Sequence, residues 1–143
     1  MNTELAQTLE QAAAQAVATL APRVGTRLDY APASLALIEE LLAEAAELFE
    51  ELDEDRILGL VQQLGSYVMV VGQREFGGQF FWDEEEQQPV LVVGEPACHI
   101  ALMAWNQVLR RLQGDPTQEI PFFYAGFAER ARAAVPGDEV LFM

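Results

Sequence analysis

Hydrophobic residues recur at helical spacing in five stretches of this chain. In the first, from Thr3 to about Leu20, the stripe is Leu5, Leu9, Ala12, Ala16 and Leu20. Thr3 is placed to cap it, and Pro22 with Gly25 is expected to end it. Much of that stripe is Ala, so residues 1–22 read as an N-terminal helical arm packed at the periphery. A second helix is expected from Ala31-Pro32, since Pro is tolerated in a first turn and Ser34 can satisfy free amides. Its stripe is Leu35, Ile38, Leu42, Ala45, Phe49 and Leu52. Asp53-Glu54-Asp55 then breaks it and caps a third helix over about 54–72. That helix carries Ile57, Leu60, Val61, Leu64, Tyr67, Val68 and Val71, and Leu58, Met69 and Val70 widen its apolar arc enough to make it central. Gly65 and Gly72 share one of its faces, where they either admit a close neighbour or are simply tolerated near a helix end. The spacing of Cys98, Leu102, Trp105, Leu109 and Leu112 predicts a fourth helix, stopped by Gly114-Asp115-Pro116. A fifth is expected over about 117–134, with Ile120, Phe123, Tyr124 and Phe127 facing inward.

Shorter segments read as strands. Gln79-Phe80-Phe81-Trp82 and Pro89-Val90-Leu91-Val92-Val93 flank a polar run and predict an antiparallel hairpin over 79–93. Alternation near 27–30 and the apolar Val140-Leu141-Phe142 predict short strands there and over 139–142. The expected fold is therefore α+β: about five helices packed on a small antiparallel sheet, in a single domain spanning 1–143.

Charge narrows the function. The chain has 143 residues, with 23 Asp and Glu against 8 basic residues, for a formal net charge of −15. The basic residues are all Arg, and with 21 Ala this composition suggests a GC-rich bacterial genome. Nucleic-acid binders gain affinity from cationic side chains that displace counterions, so no nucleic-acid partner is expected. An anionic membrane surface is disfavoured for the same reason, and no apolar run approaches the roughly 18 residues of a membrane span. A basic protein partner is favoured, because opposite fields speed association. The N-terminus lacks the basic segment of a signal peptide, and the single Cys98 rules out an internal disulfide, so a cytoplasmic protein is expected.

The acids are concentrated: residues 39–55 hold nine and no basic residue. Glu40, Glu44, Glu47 and Glu51 form one helical row, followed by Asp53, Glu54 and Asp55 at the cap. Like charges at i,i+4 cost roughly 0.2–0.5 kcal/mol per pair. These seven residues are the candidate partner-binding site, against the alternative of a solvated face that only maintains solubility. Asp83-Glu84-Glu85-Glu86 lacks the alternating ligand spacing of a calcium loop, so no metal and no cofactor is expected. Cys98 and His99 are adjacent, and on a helix their side chains would diverge by about 100°, too far for a nucleophile and its base. No catalytic residue is expected. Trp82 and Trp105 are read as core, with a pocket beside Cys98 and His99 as the alternative.

Leu28-Asp29-Tyr30-Ala31-Pro32-Ala33-Ser34-Leu35 resembles the L-D-Y-S-x-x-S-L opening of small bacterial domains of uncharacterised function. Those domains continue with L-G-x-Y-x-G-E, here Leu64-Gly65-Ser66-Tyr67-Val68-Met69-Val70, and with a G-G-x-W hairpin, here Gly77-Gly78-Gln79-Phe80 and Trp82 two residues on. Met69 and Val70 depart from the second motif, so a site built on its glycine and acid would be lost in this chain. The resemblance implies an α+β fold and no enzyme activity, and some such acidic proteins act as immunity or accessory factors. The leading expectation is a non-catalytic protein-binding domain, monomeric or homodimeric, of immunity or accessory type for a basic partner. A secretion-type chaperone is the alternative, and a small-molecule-binding domain or enzyme with a pocket near Trp82, Cys98 and His99 a further one.

Overall fold

Among residues 3–143, which the computed structural model describes apart from the side chain of Thr26, five α-helices pack on one mixed sheet. The helices are α1 (Thr3–Val24), α2 (Leu35–Glu47), α3 (Glu54–Phe76), α4 (Trp105–Leu112) and α5 (Ile120–Ala133). The strands are β1 (Gln79–Asp83), β2 (Gln88–Val93), β3 (His99–Leu102) and β4 (Glu139–Phe142), in spatial order β1-β2-β3-β4. The expected α+β class is thus what the chain forms. α3 is the axis: it buries every residue from Leu64 to Gly72, which requires neighbours on all sides rather than along one stripe. Asp53 caps it, its carboxylate accepting from Arg56 N at 2.8 Å.

The sheet differs from expectation in two places. No strand forms near 27–30. Residues 25–27 make a 3₁₀ turn, Asp29 Oδ1 accepts from Ala31 N at 3.0 Å, and Tyr30 takes φ 66°. A short Asx-type turn outcompetes the ladder that alternation suggested, and a positive φ is incompatible with a strand. The third strand is instead His99–Leu102, inside the stretch expected to be helical. Apolar positions 98, 100 and 102 fit a period of two as well as Cys98 and Leu102 fit a helical turn, and pairing decides between them. β3 runs antiparallel to β2, with Leu91 opposite Leu102, and parallel to β4, with Ile100 opposite Val140. The sheet is therefore mixed, because α4 and α5 form the long crossover that parallel neighbours need. The hairpin of β1 and β2 and the final strand are as expected, with Trp82 opposite Pro89.

All five helices contribute to one core, into which Phe80, Leu91, Val93, Ile100 and Leu102 point from the sheet. The expected peripheral arm is part of that core: Leu9, Ala13 and Ala16 are buried along α1. Small Ala side chains let α1 lie close to its neighbours rather than loosen it. Residues 1 and 2 of the arm fall outside the described residues. Two of the three glycines on α3, Gly65 and Gly72, mark close approaches, whereas Gly59 faces open space. A methyl group at Gly65 would fall 2.6 Å from Trp105 Cδ1, and one at Gly72 would fall 3.0 Å from Leu91 Cδ2. Among the described residues no helix is long and apolar enough to cross a membrane.

Candidate protein-binding surfaces

The acidic segment reorganises once folded. α2 ends at Glu47 rather than near Leu52, and residues 49–51 form a separate 3₁₀ turn. Glu47 and Glu51 therefore do not share one regular helix, and the i,i+4 repulsion expected between them is not imposed. Glu40, Glu44, Glu47, Glu51, Asp53, Glu54 and Asp55 are all exposed. Glu39 is not part of that surface. Its carboxylate receives Arg111 Nε at 2.7 Å and Ile120 N at 3.0 Å, and ties α2 to α4 and to the first turn of α5. Glu44 pairs with Arg23 of α1, both ends being about half exposed.

Beside this row lies an apolar groove. Leu41, Ala45, Leu48 and Leu52 each follow one acid of the row Glu40, Glu44, Glu47 and Glu51 by a single residue. On α2 that step turns the side chain about 100°, from the charged face to the flank. These side chains line a groove of about 320 Å³, walled by Leu20 and Arg23 on α1 and by Leu60 on α3. Leu48 remains 54% exposed at its mouth. The Arg23–Glu44 pair bridges from α1 to α2 at this groove. Sequence reasoning found the row but not the groove, whose other walls lie some 20 residues away along the chain.

The remaining candidates separate. In the turn after β1, Asp83 Oδ2 accepts from Glu86 N at 2.8 Å, so this carboxylate serves the turn itself. Among the described residues no group of three or more His, Cys, Asp or Glu is placed to hold a metal ion. Cys98 lies just before β3 and His99 is its first residue, and the two engage different partners. The thiol contacts Gly94 O at 3.7 Å, and His99 Nδ1 lies 3.2 Å from Glu95 Oε2. Cys98 is half-buried rather than packed in a helical stripe.

Trp82 and Trp105 do meet, edge to face with centroids 6.1 Å apart. They line a shallow depression of about 410 Å³ that includes neither Cys98 nor His99. Trp105 Nε1 donates to Ser66 Oγ at 3.2 Å, and Gln88, 1% exposed, keeps its Nε2 without a partner among the described residues.

The residues of the opening motif have a structural use. Tyr67 Oη lies 2.6 Å from Ser34 Oγ and accepts from Tyr30 N at 2.9 Å, while the Tyr30 and Tyr67 rings stack at 4.9 Å. Arg74 lies over the Tyr30 ring, 3.9 Å from its centroid. Burial pushes the Tyr67 and Tyr30 hydroxyls above their ordinary pKa. Met69 and Val70, which stand where the resembling domains have Gly and Glu, are wholly buried. No family model, no curated protein and no solved structure matches this chain.

Proposed function

We propose that this chain is a non-catalytic protein-binding domain that docks a basic, amphipathic segment of a partner along α2. The observation that carries this reading is the register between two rows. Glu40, Glu44, Glu47 and Glu51 run beside the groove residues Leu41, Ala45, Leu48 and Leu52, so a segment with Lys or Arg flanking an apolar face meets both at once. Asp53, Glu54 and Asp55 extend the negative field past the end of the row. The field of a chain with net charge −15 steers a cationic partner toward it and disfavours nucleic acid. A cytoplasmic immunity-type or accessory role, in which a basic toxin domain is neutralised, fits this chemistry. The pocket reading keeps only part of its residue set: Trp82 and His99 both line a hollow on the sheet, which Cys98 and Trp105 do not reach.

The test begins with partner capture from a bacterial lysate at low and high salt, followed by affinity measurement on the purified partner. Replacing Glu40, Glu44, Glu47 and Glu51 together by Gln should weaken binding by at least roughly tenfold and flatten its salt dependence. Unchanged affinity and an unchanged salt slope would remove the proposal.

A further inference from the structure

The face of the sheet turned away from the helices carries its own apolar cluster. Val90, Val92, Ala101 and Met103 are buried there as a group separate from the main core. They floor a trough of about 500 Å³ lined by residues of the four strands and their ends alone. Its sides include Phe81 on β1 and Leu141 on β4, which stay 37% and 48% exposed. Among the described residues no helix covers this surface.

We propose that this trough docks a single helix of a partner protein, apolar on the face it presents and bearing Lys or Arg along both flanks. Width argues for one helix. Three inter-strand spacings of about 4.8 Å separate β1 from β4 by about 14 Å, which a helix about 10 Å across spans. Charge argues for the cationic flanks. Asp83 and Glu139 stand among the lining residues on the two edge strands, and Glu84, Glu85 and Glu86 are exposed on the adjoining turn. No Lys or Arg lines the trough, and its other titratable side chain, His99, contacts Glu95. A second copy of this chain is disfavoured as occupant, because a two-fold contact would set the same carboxylates against each other in two chains of charge −15. The trough shares no residue with the groove beside α2 and stands independently of it.

The probe is a synthetic amphipathic helix of about 18 residues, with Leu on one face and Lys on its flanks. Binding is followed by calorimetry and by the fluorescence of Trp82, which also lines the trough. Two controls accompany it, a scrambled peptide and one with Glu flanks. F81S/L141S, at exposed positions, should weaken binding at least roughly tenfold with thermal unfolding unchanged. Reversing the rim with E85K/E139K, which spares the Asp83 carboxylate that holds the turn, should transfer preference to the Glu-flanked peptide and keeps the test valid if the first variant folds poorly. Equal binding of the scrambled peptide, or full affinity in F81S/L141S, would overturn the proposal. So would a wild-type dimer that F81S/L141S dissolves. Replacing Glu40, Glu44, Glu47 and Glu51 by Gln should leave this affinity within about twofold. If that replacement instead abolishes binding while F81S/L141S retains it, the trough is excluded and the groove beside α2 stands.

Discussion

Arg111 donates through Nε to the Glu39 carboxylate at 2.7 Å, and both side chains are largely withdrawn from solvent. The same carboxylate accepts from Ile120 N at the start of α5, where the helix dipole favours an anion. One acid in a segment of nine therefore holds three helices together. Glu39→Ala strands a largely buried guanidinium and is expected to cost about 3 kcal/mol. Glu40→Ala, one residue away on the exposed face, should change stability by no more than about 0.5 kcal/mol. Urea unfolding of the two variants checks this, and equal midpoints would show that Glu39 carries no special load.

Arg23 acts on the other side of the same helix. By pairing with Glu44 it places an internal cation where the proposed partner would put its own. An exposed ion pair contributes roughly 0.2–1 kcal/mol. Arg23→Gln should therefore strengthen binding of a basic partner by roughly two- to fivefold while barely altering stability. A weaker complex in titration calorimetry would mean that Arg23 contacts the partner instead of competing with it.

Periodicity made α2, α3, α5 and the hairpin readable, because each buries a continuous stripe or alternates against a neighbour close in sequence. It failed where two periods coincide. Cys98, Ile100 and Leu102 satisfy a strand as well as a helix, and only pairing with Leu91 and Val140 decides the outcome. It failed again at Asp29 and Tyr30, where a side-chain hydrogen bond to the backbone sets the turn. The acidic row was visible in the chain, whereas the diversion of Glu39 depends on Arg111, 72 residues distant. The trough leaves a mark in the chain at β2. The run Val90 to Val93 is apolar on both faces of its strand, more than one covering layer of helices requires.

Gly65 gives the core a test of close packing. A methyl group there would meet both the Trp105 ring and its Cα, the latter at 3.2 Å, and backbone yields less easily than a flexible side chain. Gly65→Ala should raise intrinsic helix propensity yet lower net stability by about 1–3 kcal/mol. Thermal unfolding should fall by several degrees, and the tryptophan emission should shift as Trp105 is displaced. A stabilised variant would show that α4 can retreat freely from α3.

The three tyrosines of the chain give the last prediction, a loss of stability in alkali. Burial raises the pKa of Tyr30, Tyr67 and Tyr124, and Tyr124 is pushed further because its hydroxyl donates to the Glu75 carboxylate at 2.6 Å. Arg74 near Tyr30 and Tyr67, and Arg132 near Tyr124, oppose the rise without cancelling it. In the unfolded chain these hydroxyls titrate near 10. Because the folded pKa values lie higher, the folded state holds its protons longer. The stability this gives is complete below about pH 10 and is lost as pH rises through the folded values. Tyrosinate absorbance should therefore stay low at pH 10 while native circular dichroism persists, then rise together with unfolding. Substantial absorbance at pH 10 in a protein that still shows native circular dichroism would mean that the hydroxyls are open to solvent, and that the contacts of Tyr67 with Ser34 and of Tyr124 with Glu75 do not persist in solution.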